Sequence, residues 1–172
     1  MFKEEWVKFA KHPPEDGDYY VAADLASFVD PTKKRSKNSK ADESAIAVVK
    51  INEAEWFVEK IYHGVWLPFE TAEKIFEIVK KYQPIKVGIE RGISRNAIME
   101  NLVNLQKQYQ TFFNVAELTH GQQKKTDRIA WALQGKFEHG YITLNEGSWN
   151  TRFLDQLFQF PDPLTHDDLV DA

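Results

Sequence analysis

The sequence predicts an α/β fold: a mixed sheet, with an antiparallel three-strand meander extended by parallel strands and flanked by helices. Three observations carry this. Three apolar, β-rich runs lie between residues 18 and 62, two of them close enough for a hairpin. From residue 70 onward, helical periodicity alternates with short apolar runs. No internal repeat or domain-scale linker divides the 172 residues, so one core is expected.

Residues 1–17 read as a peripheral lead-in, pinned by Trp6 and Phe9 and ended by Pro13-Pro14 and Asp16-Gly17. Asp18 to Asp24 reads as the first strand. Residues 30–44 are polar, with Lys33, Lys34, Arg35, Lys37 and Lys40, and read as a mobile loop. Ala45 to Ile51 is β-branched and forms a second strand. Asn52-Glu53 signals a turn before a third strand, Glu55 to Tyr62, in an antiparallel hairpin. Glu70 to Tyr82 repeats apolar residues at the helical period and stops before Pro84. Ile85 to Glu90 is a fourth strand. Ser94 suits the cap of a helix reaching Tyr109, with Ile98, Leu102 and Leu105 on its buried stripe. A strand at Thr111 to Leu118 follows, then a helix from Lys124 to Gln134 closed by Gly135, and a strand at Tyr141 to Leu144. Ser148 opens a helix through Phe158. Pro161 and Pro163 break it, and Thr165 starts the last helix.

Composition excludes several classes. There are no cysteines, hence no disulfide, zinc-thiolate site or cysteine nucleophile. No run reaches 18 apolar residues, so no transmembrane helix is expected. Charges near Met1 stand where a signal peptide needs an apolar stretch, so none is expected in these residues. The net charge of −4 averages over faces and does not exclude a basic groove beside an acidic site. The tryptophans Trp56, Trp66, Trp131 and Trp149 read as core residues.

The chemistry lies in the carboxylates. Asp24 and Glu90 each follow a buried strand directly, at the carboxyl edge where open α/β sheets keep their sites. The chain closes on His166-Asp167-Asp168-Leu169-Val170-Asp171-Ala172. On a helix, Asp168 and Asp171 share a face, as do Asp167 and Asp171. Like charges so spaced repel, which calls for a positive group in front of them. If the strands are neighbours and the tail reaches the same edge, Asp24, Glu90, Asp168 and Asp171 offer oxygen ligands for Mg²⁺ or Mn²⁺. Two ions about 4 Å apart, sharing an aspartate, would clamp both oxygens of a phosphodiester displacement. Each residue also has a plainer reading. Asp24 suits a turn start and Glu90 a surface strand end. Thr165 with Asp168 matches a capping box, which leaves Asp171 unexplained. His166 suits proton transfer or a capping region, and His120 a loop.

Taken in order, Asp24-Leu25-Ala26-Ser27, Gly88-Ile89-Glu90-Arg91-Gly92, Lys124-Lys125-Thr126-Asp127-Arg128-Ile129 and the His166–Ala172 tail resemble the nuclease domain of phage terminase large subunits. That domain is RNase H-like and related to RuvC-type resolvases. The resemblance runs from the Trp6 region to Ala172 and rests on order and spacing more than on any one motif. It implies a single RNase H-like domain over 1–172 and a metal-dependent endonuclease that cuts concatemeric viral DNA during packaging, in the host cytoplasm. It implies ligand roles for Asp24, Glu90 and the Asp168 region, around two Mg²⁺ or Mn²⁺ ions bridged by Asp24. The resolvase-like Asp-x-x-Asp spacing selects Asp168 with Asp171, and Asp167 is the runner-up. Lys125 is the expected contact to the scissile phosphate or nucleophile, and Arg91 and Arg95 expected backbone contacts. The implied partners are double-stranded DNA and, through a full-length protein, a packaging ATPase domain, portal and small terminase subunit. No G-x-x-x-x-G-K-[ST] phosphate loop occurs, so this stretch is expected to lack the ATPase. The last helix, about two turns long at Ala172, is expected to continue and to hold its acids loosely. The rival readings are a resolvase or ribonuclease H of the same fold, and a non-catalytic domain that docks a packaging motor.

Overall fold

The computed structural model describes residues 1–27 and 43–172; the expected loop segment Lys33–Lys40 lies outside the described residues. Seven strands form one mixed sheet: β1 (Lys8–Ala10), β2 (Asp18–Asp24), β3 (Ser44–Ile51), β4 (Trp56–Gly64), β5 (Lys86–Glu90), β6 (Val115–Leu118) and β7 (Ile142–Asn145). Their order is β1-β7-β4-β3-β2-β5-β6. The meander β2-β3-β4 is antiparallel. Strands β5 and β6 extend it in parallel from β2, and β7 and β1 in parallel from β4.

Strand β3 sits at the centre, and Ala45, Ile46, Ala47 and Val48 are all buried because both sheet faces are covered. Helices α1 (Pro68–Tyr82) and α2 (Ile93–Tyr109) close one face over Val21, Ala23, Ile46, Val48, Val87 and Ile89. The expected stripe of Ile98, Leu102 and Leu105 is the buried side of α2. The other face carries α3 (Lys125–Ile129), a π-helical turn (Ala130–Gln134), α4 (Gly135–Glu138), α5 (Asn150–Gln159) and α6 (Asp168–Asp171), packed over Ala45, Ala47, Ile61, Ile142 and Leu144. Gly88 lets β6 close in, since a Cβ there would lie 2.7 Å from the Leu118 side chain.

Several local expectations change. The lead-in contributes edge strand β1, and its anchor is Phe2, buried edge-on against Phe137 with ring centroids 5.7 Å apart, whereas Phe9 is exposed. Helix α2 is capped at Gly92, and the Ser94 hydroxyl donates to the Ala26 carbonyl at 3.0 Å. Gly135 has ordinary right-handed helical angles and does not end the helix. The stop comes at Gly140, with φ of 73°, where Gly140 N–H donates to the Phe137 carbonyl and Tyr141 N–H to that of Lys136, a Schellman closure. Thr165 does not cap the last helix. Its hydroxyl donates to the Asp162 carbonyl in a turn organised by Asp162, and Asp167 takes the cap position of α6. Trp149 is buried and Trp56 and Trp66 are partly covered, but Trp131 is 86 % exposed.

A four-residue helix cannot hold itself together. α6 is held by its neighbours: Leu169 and Val170 are buried in the core, and Leu169 N–H donates to Gln156 Oε1 at 2.8 Å. No helix among the described residues is long and apolar enough to cross a membrane.

Candidate active site

Three chain segments meet at one edge of the sheet. β2 and β5 are parallel neighbours with Ala23 opposite Ile89, so Asp24 and Glu90 leave the sheet side by side. α6 brings up Asp171. Oxygens of Asp24, Glu90 and Asp171 lie within 4.8 Å of one another. They share an open cleft of about 630 Å³ with Glu43, Arg91, Ile93, Arg95, Lys125, Arg128 and Asp168.

The expected residues do not all occupy the same place in that cleft. Asp168 lines it but stands outside the three-carboxylate group. Its Oδ2 accepts from the Glu43 backbone N–H at 3.3 Å and lies 3.8 Å from His166 Nδ1. Asp167 faces Lys125, whose Nζ lies 2.8 Å from Asp167 Oδ1 and 3.0 Å from Asp171 Oδ2. Arg128 Nη2 sits 2.6 Å from Asp171 Oδ1. The aspartates at 167 and 168 thus tie α6 to α3 and to the start of β3, while Asp171 reaches Asp24 and Glu90. Arg91 and Arg95 are both within 3.5 Å of Glu117, a pairing the sequence did not suggest.

Burial, the adjoining Glu90 carboxyl and the charges of Asp171 and Glu90 together push Asp24 up to about 8, with Lys125 partly opposing them. Burial works against the Lys125 ammonium, but the carboxylates of Asp167 and Asp171 outweigh it and hold its pKa above the usual lysine value. A cluster that keeps a proton on an aspartate near neutral pH is short of positive charge. Three carboxylate oxygen donors around one point suit a hard divalent cation, and Asp24, Glu90 and Asp171 are the residues placed to hold it.

Four further residues stand at this edge without having been singled out or placed there from sequence. His120 Nε2 lies 3.0 Å from Glu90 Oε1. Glu43 accepts from Arg152 Nη2 at 3.1 Å and lies 3.6 Å from His63 Nδ1. A usable signal existed for three of them. β3 runs antiparallel to β2, so the residue before β3 and the end of β4 fall at the edge where β2 finishes; β6 runs parallel to β5, which brings His120 there too. Arg152, on α5, had no such signal.

A model of the family described as the Terminase RNaseH-like domain matches residues 28–172. No curated protein matches the chain. Among solved structures, a manganese-soaked human cytomegalovirus terminase nuclease domain is similar, with a TM-score of 0.64 and 13 % identity over 100 % of this chain and 92 % of that one. The large terminase nuclease of thermophilic phage G20c gives 0.65 and 12 %, over 98 % and 91 %. The large terminase of another thermophilic bacteriophage, in complex with ADP, gives 0.56 and 14 %, over 85 % of this chain and 33 % of that one. At these identities the structural likeness shows a shared fold, the RNase H-like mixed sheet, while the family match covers most of the sequence. The chain belongs to the terminase RNaseH-like domain family.

Proposed function

We propose that this domain is a metal-dependent endonuclease that hydrolyses phosphodiesters of double-stranded DNA, cutting concatemeric viral DNA during genome packaging in the host cytoplasm. The observation that carries the reading is the convergence of Asp24, Glu90 and Asp171 from three distant parts of the chain to within 4.8 Å. Mg²⁺ or Mn²⁺, as a pair of ions, is the proposed cofactor, and the manganese-soaked cytomegalovirus domain supports that choice. A divalent cation here supplies Lewis acidity, offsetting charge that builds on the phosphodiester oxygens and acidifying water.

The chain's own groups prepare the site. Asp24 is the central ligand, flanked by Glu90 and Asp171, with Asp168 supporting from the cleft wall. Asp24, whose surroundings favour its protonated form, would have to be ionised to hold a divalent cation. Arg128 fixes the Asp171 carboxylate, and His120 that of Glu90. Lys125 keeps its charge across the working pH range and contacts the scissile phosphate. Asp167 anchors Lys125 and is the weaker candidate for a ligand. The phage large terminase solved with ADP is a longer chain, which supports a setting beside a packaging ATPase domain; a portal and small subunit are the further partners proposed for the full-length protein.

The test is plasmid cleavage with Mn²⁺ or Mg²⁺. Wild type should nick and linearise DNA, and Asp24→Asn should lower the rate at least ~10²-fold, as loss of a main electrostatic group does. Equal cleavage by both sinks the catalytic reading. Preference for four-way junctions or RNA–DNA hybrids over linear duplex would assign the site to a resolvase or ribonuclease H instead.

A further inference from the structure

Trp131 is the most exposed aromatic side chain among the described residues, at 86 %. The other four tryptophans are wholly or partly covered. Lys3 lies over Trp6, Lys136 over Trp56 and Lys74 over Trp66, and Trp149 is buried against Phe153. A bare indole is therefore a departure from how this protein treats its tryptophans.

Its position gives the departure meaning. Ile129 and Phe137 are buried, and Leu133 packs against the same core, so positions 129, 133 and 137 mark the inward side of this helical stretch. Trp131 falls on the opposite side, two residues from both Ile129 and Leu133. Counting back at about 100° per residue, Lys124 and Arg128 lie within roughly 60° of Trp131 on the same outward sector. Arg128 reaches into the acidic cleft and contacts Asp171. The sector thus runs from the cleft to the indole. Of the basic groups in residues 119–136, Lys125 and Arg128 face Asp167 and Asp171 and Lys136 lies over Trp56, so the exposed Lys124 is the cation that stands beside the indole. The neighbouring Gln122, Gln123 and Lys124 are exposed donors. The indole sits in a π-helical turn, a distortion found frequently at functional sites. A second exposed apolar group, Ile93, lines the cleft from the start of α2.

We propose that Trp131 is a nucleic-acid contact, its indole packing on base and sugar surface of the strand bound across the cleft while Lys124 holds the backbone beside it. Charge complementarity selects a polyanion over an apolar protein surface. The aromatic face suits an unpaired base, since every base presents a π-face once it leaves the duplex stack. This rests on the nuclease reading above.

The experiment measures binding of a short fluorescein-labelled duplex with a single-stranded flank, in Mg²⁺, to the Asp24→Asn protein so that the DNA stays intact. Adding Trp131→Ala should weaken binding about 5- to 100-fold, in line with loss of one base–aromatic stack. Trp131→Phe should recover most of it, and the melting temperature should not change. The slope of log affinity against log salt should stay the same for Trp131→Ala and fall by about one for Lys124→Ala, because only the lysine displaces counterions. Unchanged affinity in Trp131→Ala, with the Asp24→Asn protein binding normally, overturns this inference and leaves the nuclease reading standing. Loss of self-association in Trp131→Ala, with DNA affinity intact, also overturns it and assigns the indole to a protein interface. If the Asp24→Asn protein binds no DNA, the inference fails; wild-type plasmid cleavage then decides the nuclease reading separately.

Discussion

Replacing Asp24 by asparagine should stabilise the metal-free protein at high pH and sharply reduce its response to manganese. The magnitude follows from the site. Burial and the Glu90 and Asp171 carboxylates move Asp24 from 3.8 to about 8. For an acid whose folded pKa is raised, the folded state binds more protons than the unfolded one between those two values. Stability is therefore lost as pH rises from about 4 to about 8, and the loss is complete above about 8. Four pH units at about 1.36 kcal/mol each set a ceiling of about 5 kcal/mol. Water entering the open cleft screens the repulsion, so we expect about half of that, ~3 kcal/mol. Asparagine keeps the shape and removes the charge. At pH 9 in EDTA, Asp24→Asn should melt about 5–10 °C above wild type, with the gap closing towards pH 4. Manganese at about 100 times its dissociation constant should add about 2.7 kcal/mol to wild type and far less to the variant. The assay is thermal melting by circular dichroism from pH 4 to 9, with EDTA and with Mn²⁺. A variant no more stable than wild type at pH 9, or one stabilised equally by Mn²⁺, would refute the reasoning.

Two other perturbations separate the roles within the site. Lys125→Ala should lower cleavage at saturating Mn²⁺ by about 10²-fold or more. Its Mn²⁺ affinity, read by calorimetry, should hold or tighten, because the ammonium 3.0 Å from Asp171 competes with a cation for that carboxylate; a weaker affinity would count against a phosphate-contact role. Leu169→Ala should cost about 2–5 kcal/mol in urea unfolding, as a fully buried leucine, and should also weaken Mn²⁺ binding because it loosens the turn that presents Asp171. A stability loss with unchanged Mn²⁺ affinity would show that Asp171 is not positioned through this anchor.

Much of this was readable before any coordinates. Apolar runs and their spacing determined the strands from Asp18 to Leu144 and both long helices, because burial of alternate or every third to fourth residue is a local pattern. The placement of Asp24 and Glu90 directly after buried strands was equally local, and put both at the carboxyl edge. Which tail aspartates join them was only partly readable. Helical spacing puts Asp171 in both candidate pairs and favours Asp168 beside it, whereas tertiary contacts bring Asp171 to the cluster without Asp168: Leu169 and Val170 are buried inward, Asp168 is taken by the Glu43 backbone N–H and Asp167 by Lys125. The same holds for the Asp162 turn that displaced Thr165 as a cap, the π-helical turn that carried the chain past Gly135, and the exposure of Trp131. Sequence alone determined six of the seven strands, both long helices and two corners of the carboxylate cluster. Tertiary structure decided the third corner and the cations beside it, because a four-residue helix takes its orientation from what it packs against.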